Sequence, residues 1–354
     1  MQPLKLTGIE RICVFAWGLI GDLFIRIPVI EALKQHFPNA RLSVVVDPRG
    51  EDVLARHPDV DEVVVFSRAK KPLLTYLLGL FRNIAYMRRK HYDLTVDLYG
   101  SGSSPHITRW VNARWRLGFD HTPILRKVNN ILAPHPSFIA TSWHLALGKL
   151  LKPLGIDRVR RGTTFICSTQ ARQYAEGLLQ HVKGPLVGIN LGAGAKNKCW
   201  PVARFVALAQ RLAAQDFKIL LFTNPGQEHL ADKFESLYGE EASLIRVPVV
   251  YLDKEGALMQ HCGFVVTGDT SLLHLAMGVK VPFLGIFLVT HPACVLPEDV
   301  HHVACYQERR ASDKVRDTTG PSDLPVDYVY SQALKLVDRI NAKSLSDRRV
   351  TAQR

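Results

Sequence analysis

The sequence predicts an α/β protein made of two doubly wound units in series. Three observations predict it. Short, continuous apolar runs rich in Val, Ile and Leu alternate with helical stretches, as in parallel sheets covered on both faces. The alternation starts afresh near Pro185. At 354 residues the chain is too long for one ordinary domain and long enough for two.

The elements follow in order. Arg11–Ala16 (RICVFA) reads as a first buried strand, followed by Leu42–Val46, Val63–Phe66 and Leu94–Leu98, with helices that include Val29–His36 and Leu73–Lys90. Pro185–Asn190 (PLVGIN) opens the second series. Phe217–Phe222, Phe264–Thr267 and Val281–Phe287 continue it, with helices at Arg204–Gln215 and Gln227–Tyr238 and a last one near Val326–Ile340. A boundary around Gly155–Arg161 gives expected units of 1–160 and 161–342, and the polar, basic stretch 343–354 is expected to be a disordered tail. Ligands of open α/β folds sit beyond the carboxyl ends of the strands. Two such units predict a cleft between the sheets, with active loops after the first strand of each unit and after later strands of the second.

Lys and Arg outnumber Asp and Glu by 45 to 32, a formal net charge of +13. That excess points to nucleic acid, an anionic membrane surface or a phosphorylated substrate. No aromatic-interleaved basic strand or nucleic-acid-binding motif is present, which counts against the first and leaves a basic, non-enzymatic nucleic-acid-binding protein as the lesser alternative. Cys13, Cys167, Cys199, Cys262, Cys294 and Cys305 form no CxxC pair and fit no zinc spacing. They read as free thiols of a reducing, cytoplasmic compartment. The first ten residues do not read as a signal peptide, and no run reaches the ~18 apolar residues of a membrane span.

Three segments carry candidate chemistry. In Trp17–Pro28 (WGLIGDLFIRIP), Gly18 and Gly21 let the backbone turn tightly and approach a ligand, and Asp22 reads either as a helix cap or as a general base. In Leu191–Pro201 (LGAGAKNKCWP), Gly192, Ala193 and Gly194 expose backbone N–H groups that can cradle phosphate, and Lys198 can neutralise a departing diphosphate. In Thr267–Pro282 (TGDTSLLHLAMGVKVP), Asp269, Thr270 and Ser271 supply caps at a helix start whose N-terminus favours an anion. His274 lies on its first turn, as a structural histidine or a ligand group. Asp269 would repel a diphosphate and suits sugar hydroxyls better.

The ordered set GD…P, GA…KxWP and GDT…HLA…VP resembles glycosyltransferase family 9, the lipopolysaccharide heptosyltransferases, from about Arg11 to Phe287. HYDLTVDL (His91–Leu98) and RLGFD (Arg116–Asp120) also look like family segments. The resemblance implies a GT-B fold of two Rossmann-like domains, the first for the acceptor and the second for the nucleotide sugar. It implies an inverting, metal-free transfer from ADP-heptose to a phosphorylated lipopolysaccharide core, with no cofactor. Carried over by position, Asp22 would be the base and Lys198 would face the donor. Thr270, Ser271 and His274 would hold the diphosphate, Asp269 the heptose and Glu228 the ribose. Two positions depart from the family pattern. Ser271 stands where glycine is usual, crowding the phosphate or adding a hydroxyl donor, and Arg26 lies in a stretch that is commonly neutral.

The basic excess then has a use. Gly21, Arg68, Lys70, Lys71 and Arg116 are the candidate acceptor contacts; Arg68, Lys70 and Lys71 precede the helix Leu73–Lys90, whose basic end Arg88-Arg89-Lys90 adds to the charge of the same half. Such a surface suits a phosphorylated lipid on the anionic inner membrane, with the protein peripheral on its cytoplasmic face. LLTYLLGLFRNIAYM either packs into the core or dips into the membrane interface. Asp59-Val60-Asp61 spells the metal-binding DxD of another glycosyltransferase fold but reads as a surface turn. A protein or another glycan remains an alternative acceptor. A nicotinamide dehydrogenase is set aside, because GLIGD replaces GxGxxG after the first strand.

Overall fold

The computed structural model describes residues 3–67, 72–136, 141–239, 241, 243–298, 300–306 and 324–352. The chain divides into two compact units, Met1–Phe165 with Ala293–Glu298, and Ile166–Pro292 with Asp299–Arg354. The sequence expects 1–160 and 161–342, and gives no sign of the short return to the first unit. That return is held by Glu298, whose carboxylate accepts from Arg161 Nε at 2.7 Å while its N–H donates to the Arg161 carbonyl.

In the first unit the described strands are β1 (Arg11–Phe15), β2 (Arg41–Val46), β3 (Glu62–Val65), β4 (Leu94–Asp97), β5 (Trp115–Phe119) and β6 (Ile131–Ala133). They pair in parallel in the order β3-β2-β1-β4-β5-β6, with Val14 opposite both Val44 and Val96. The helices are α1 (Ile20–His36), α2 (Glu51–Leu54), α3 (Leu73–Arg89), α4 (Ser104–Val111), α5 (Pro123–Val128) and α6 (Trp143–Gly148). Central strands such as RICVF are buried after their first residue, because helices cover both faces. Helix α1 begins nine residues before the expected Val29 and keeps Pro28 inside it. Proline removes one ladder bond there, but the run Leu23–Leu33 is buried throughout and packing holds the helix together. A core of Cys13, Phe15, Trp17, Val64, Phe66, Leu80, Ile84, Met87 and Ile107 lies under α3 and α4.

The second unit repeats the plan with β7 (Leu186–Asn190), β8 (Lys218–Phe222), β9 (Leu244–Arg246), β10 (Phe264–Gly268), β11 (Phe283–Phe287) and β12 (His302–Tyr306), in the order β12-β11-β10-β7-β8-β9. Its helices are α7 (Thr169–Leu179), α8 (Val202–Ala213), α9 (Glu228–Tyr238), α10 (Leu252–Met259), α11 (Ser271–Gly278) and α12 (Val326–Ala352). In α8, Phe205, Val206, Leu208, Ala209 and Leu212 form one buried stripe at helical spacing. The expected disordered tail from 343 is corrected: α12 continues to Ala352. Lys343–Ala352 contains no Pro or Gly to stop it.

One buried charge cluster ties α1 to the end of the first unit. Glu31 receives Arg160 through Nε at 2.6 Å and Nη2 at 2.7 Å, and Thr164 at 3.0 Å, while His57 Nε2 lies 3.3 Å away. Burial alone raises the Glu31 carboxyl, but His57 and Arg160 outweigh it and hold it at about 2. A depressed carboxyl stabilises the fold above its ordinary range, and this stabilisation is lost as pH falls through the folded value. Glu31→Gln is therefore expected to cost about 2 kcal/mol at neutral pH, below a fully buried pair because Arg160 is 36% exposed. It should also flatten the acid limb of stability between pH 4.5 and about 2. Urea titrations across that range check both; an unchanged acid limb refutes the linkage.

Candidate active site

The second sheet reverses its strand order between β7 and β10, and there the loops after both strands diverge. Each strand carries a polar residue at or next to its carboxyl end, after an apolar run. Asn190 closes β7, Thr267 is the last but one residue of β10, and both are buried. Asn190 Nδ2 donates to Thr267 Oγ1 at 3.0 Å, to Thr270 Oγ1 at 3.2 Å and to the Gly192 carbonyl at 3.4 Å. Asn224, after β8, donates to Asn190 Oδ1 at 3.3 Å and to Gln227 Oε1 at 3.1 Å, and Gln227 Nε2 donates to the Ala193 carbonyl at 2.9 Å. The loops after three strands are thus fixed by side-chain amides. Gly192 is required by this crossing: a Cβ there would stand 1.8 Å from Gln227 Oε1 and 2.5 Å from Asn224 Nδ2.

On this frame sits a charged pair. Lys198, at the end of the short turn Lys196–Lys198, donates from Nζ to Asp269 Oδ2 at 2.6 Å. Thr290, after β11, donates to the same oxygen at 2.5 Å. Burial pushes the Asp269 carboxyl up, but the bonds from Lys198 and Thr290, and the charges of Lys198 and His274, bring it below the ordinary range. Thr270 caps α11, accepting from the Leu272 N–H at 3.1 Å, and Ser271 opens the helix half-buried. His274 is buried in the same first turn. Gly192 and Ala193 are buried with their carbonyls engaged, and the exposed part of their loop is 194–197. Glu228 opens α9 exposed, its carboxylate accepting from the Gly226 N–H at 3.0 Å. A cation, a helix N-terminus and a tight small-residue loop meet at one switch point, an arrangement that can receive an anion.

In the first unit, the loop after β1 brings a second group together. Gly18 adopts φ 137°, and a Cβ there would stand 2.7 Å from Arg26 Nη1 and 3.0 Å from Asp22 Oδ2. Only glycine lets these two side chains converge on the turn. Gly18 N–H donates to Asp47 Oδ2 at 3.0 Å. Asp22 is exposed in the first turn of α1, and its Oδ2 accepts from the Leu19 N–H at 3.2 Å, so it does cap the helix. Arg26, one turn on, is buried; its guanidinium donates to the Trp17 carbonyl and lies 6.0 Å from the Tyr99 ring centre. Asp97, at the end of β4, is fully buried and receives Ser104 Oγ and the N–H groups of Tyr99 and Gly100. Burial raises its carboxyl above the ordinary range.

Lys198, Asp269, Thr270, Ser271 and His274 gather at the β7–β10 switch point, with Gly192 and Ala193 beside them. Gly21 lies beside Asp22 in the first turn of α1. Arg116 is on β5, with Nε and Nη1 donating to the carbonyls of Val128 and Ala113, both at 2.7 Å. Arg68, Lys70 and Lys71 lie outside the described residues. Asp61 of the DxD accepts from Lys34 at 3.0 Å and from the Leu42 N–H at 2.8 Å, anchoring the turn before β3. Sequence reasoning missed Asn190, Asn224, Gln227 and Thr290. The available signal was a polar residue at the carboxyl end of an apolar strand.

The model of glycosyltransferase family 9 (heptosyltransferase) matches residues 80–321, a span that holds the Lys198 and Asp269 loops and leaves out Asp22. Lipopolysaccharide heptosyltransferase 3 of Escherichia coli is 25% identical over 278 residues, covering 76% of this chain and 81% of that protein. Among solved structures, the family 9 glycosyltransferase of Veillonella parvula superposes with a TM-score of 0.85 at 18% identity, covering 96% of this chain and all of the other. An E. coli heptosyltransferase solved with ADP-2-deoxy-2-fluoro heptose superposes with a TM-score of 0.71 at 17% identity, covering 92% and 99%. The fold class is GT-B, two Rossmann-like doubly wound units.

Proposed function

The chain belongs to glycosyltransferase family 9, and from that premise we propose that it transfers heptose from ADP-heptose to the phosphorylated inner core of lipopolysaccharide. The observation that carries the reading is the Lys198–Asp269 pair beside the N-terminus of α11. A nucleoside diphosphate needs fixed positive groups as it leaves, and a sugar needs a carboxylate that accepts from its hydroxyls. The first unit takes the acceptor and the second the nucleotide sugar. The resemblance of the curated relative, a lipopolysaccharide heptosyltransferase by name, supports the acceptor class.

The reaction is a single inverting displacement. An acceptor hydroxyl attacks the anomeric carbon opposite the leaving ADP, and Asp22 takes the proton as the bond forms. Lys198 and the amide groups at Thr270 and Ser271 stabilise the charge growing on the diphosphate, with His274 behind them. Asp269 holds heptose hydroxyls and Glu228 the ribose. These protein groups supply the positive charge, so the transfer proceeds without a metal. The enzyme works peripherally on the cytoplasmic face of the inner membrane, where no nucleic acid is needed as partner. Among the described residues no helix is long and apolar enough to cross a membrane.

A thermal-shift panel of nucleotide sugars tests the donor. At 100 times its dissociation constant, a ligand stabilises the fold by about 2.7 kcal/mol. ADP-heptose is expected to raise the melting temperature by several degrees, and UDP-glucose and GDP-mannose to leave it unmoved. Equal shifts from all three would remove the ADP-heptose assignment.

A further inference from the structure

Helices α3, α4 and α5 lie next to one another, α3 packed on α4 and α4 on α5. None of them contains Asp or Glu; they read LLTYLLGLFRNIAYMRR, SPHITRWV and PILRKV. Arg82, Arg88, Arg89, Arg109, Arg126 and Lys127 on these helices are all exposed.

Helix α3 is apolar on two sides. Leu80, Ile84 and Met87 are buried in the core beneath it. Leu74, Leu78 and Phe81 face the other way, 70%, 62% and 65% exposed. At 3.6 residues per turn these three fall in a strip about 60° wide, with Arg88 along one edge and Arg82 and Arg89 along the other. Trp110 on α4 (46% exposed) and Ile124 on α5 (37%) extend the exposed apolar surface. Arg88 Nη1 donates to the Trp110 carbonyl at 3.2 Å, which ties the basic edge of α3 to α4. A single exposed leucine is ordinary. Three large apolar side chains in register, flanked by guanidinium groups on a helix with no carboxylate of its own, match a helix that lies in a membrane interface; the nearby Glu62 carboxylate is paired with Lys90 at 2.9 Å.

We propose that the α3–α4–α5 face docks the protein on an anionic lipid bilayer. Leu74, Leu78 and Phe81 enter the boundary of the acyl region, and the surrounding Arg and Lys side chains meet lipid phosphates. This deepens the reading of a peripheral, membrane-side glycosyltransferase by naming the surface it uses, and it rests on that reading. Charge selects the occupant. A second copy of the same face would set these cations against their equals, whereas a sheet of phosphates neutralises them.

The test is co-sedimentation of the full-length protein with vesicles of phosphatidylglycerol and phosphatidylethanolamine, against vesicles of phosphatidylcholine alone. Binding to the anionic vesicles is expected to be about tenfold tighter or more, and to weaken as salt rises. Leu78→Glu with Phe81→Glu should lower that binding about tenfold or more. Arg82→Gln with Arg89→Gln should lower it several-fold and blunt its salt dependence. All four residues are exposed, so both double variants should keep the wild-type melting temperature. Both should also glycosylate a delipidated, water-soluble core acceptor at the wild-type rate. A wild-type enzyme inactive on that acceptor would count against the heptosyl-transfer reading and leave the vesicle result standing. Undiminished vesicle binding by Leu78→Glu with Phe81→Glu overturns the docking proposal. So does a wild-type dimer that the same variant disperses while vesicles bind neither protein.

Discussion

Asp22→Asn is expected to lower kcat by about 10²–10⁴-fold, the usual contribution of a positioned general base, while melting temperature and donor affinity stay unchanged. Asparagine is the informative replacement because Asp22 has two duties. Its Oδ2 accepts from the Leu19 N–H at 3.2 Å, a cap whose loss costs about 1 kcal/mol. The amide oxygen of asparagine still accepts that bond but cannot take up a proton. Asp22→Ala removes both functions, so it should lose the same turnover and melt somewhat lower. Donor affinity should hold in each variant, since the proposed donor groups all belong to the second unit. Steady-state kinetics with saturating donor, together with thermal melts, check the two effects separately. Wild-type turnover by Asp22→Asn would reduce Asp22 to a cap.

The parts of this molecule legible in the sequence are those whose signal is local. RICVF, LVGIN and FVVTG announce buried parallel strands because every residue but the first of β1 is covered. The strand ILA and the strand LIR are three residues long and carry too little pattern to read. The start of α1 was hidden by Pro28, since proline normally marks a helix boundary and here sits inside one. The site shows the same division. Lys198, Asp269 and Thr270 stand in motifs, in the loops that follow β7 and β10. Their partners do not: Asn190 reaches Thr267 across 77 residues and Thr290 reaches Asp269 across 21. Such bonds depend on which strands become neighbours, and the β7–β10 pairing is set by the whole sheet. The acidic and basic residues of the motifs were visible, while the amides that hold their loops were not.

Lys198→Ala is expected to lower kcat/KM by about 10²–10³-fold, the typical loss when one preorganised charge-stabilising donor is removed, and to weaken the binding of ADP itself. The structure sharpens what else should follow. Lys198 is one of the two hydrogen-bond donors that draw the buried Asp269 carboxyl below its ordinary range against the cost of burial. A depressed carboxyl contributes stability above its ordinary value, and that contribution disappears as pH falls through the folded value. Without Lys198 the depression shrinks. The variant should therefore be less stable at neutral pH, by about 1–2 kcal/mol since Lys198 is itself 31% exposed, and the difference from wild type should narrow in acid. Asp269→Asn separates the partners. It leaves the cation in place, so ADP affinity should persist, while the added affinity conferred by the heptosyl group is lost. Calorimetric titration with ADP and with ADP-heptose reads both variants. If Lys198→Ala melts lower yet binds ADP and turns over like wild type, the pair is a structural clamp and the cation that meets the leaving diphosphate must be sought elsewhere on the chain.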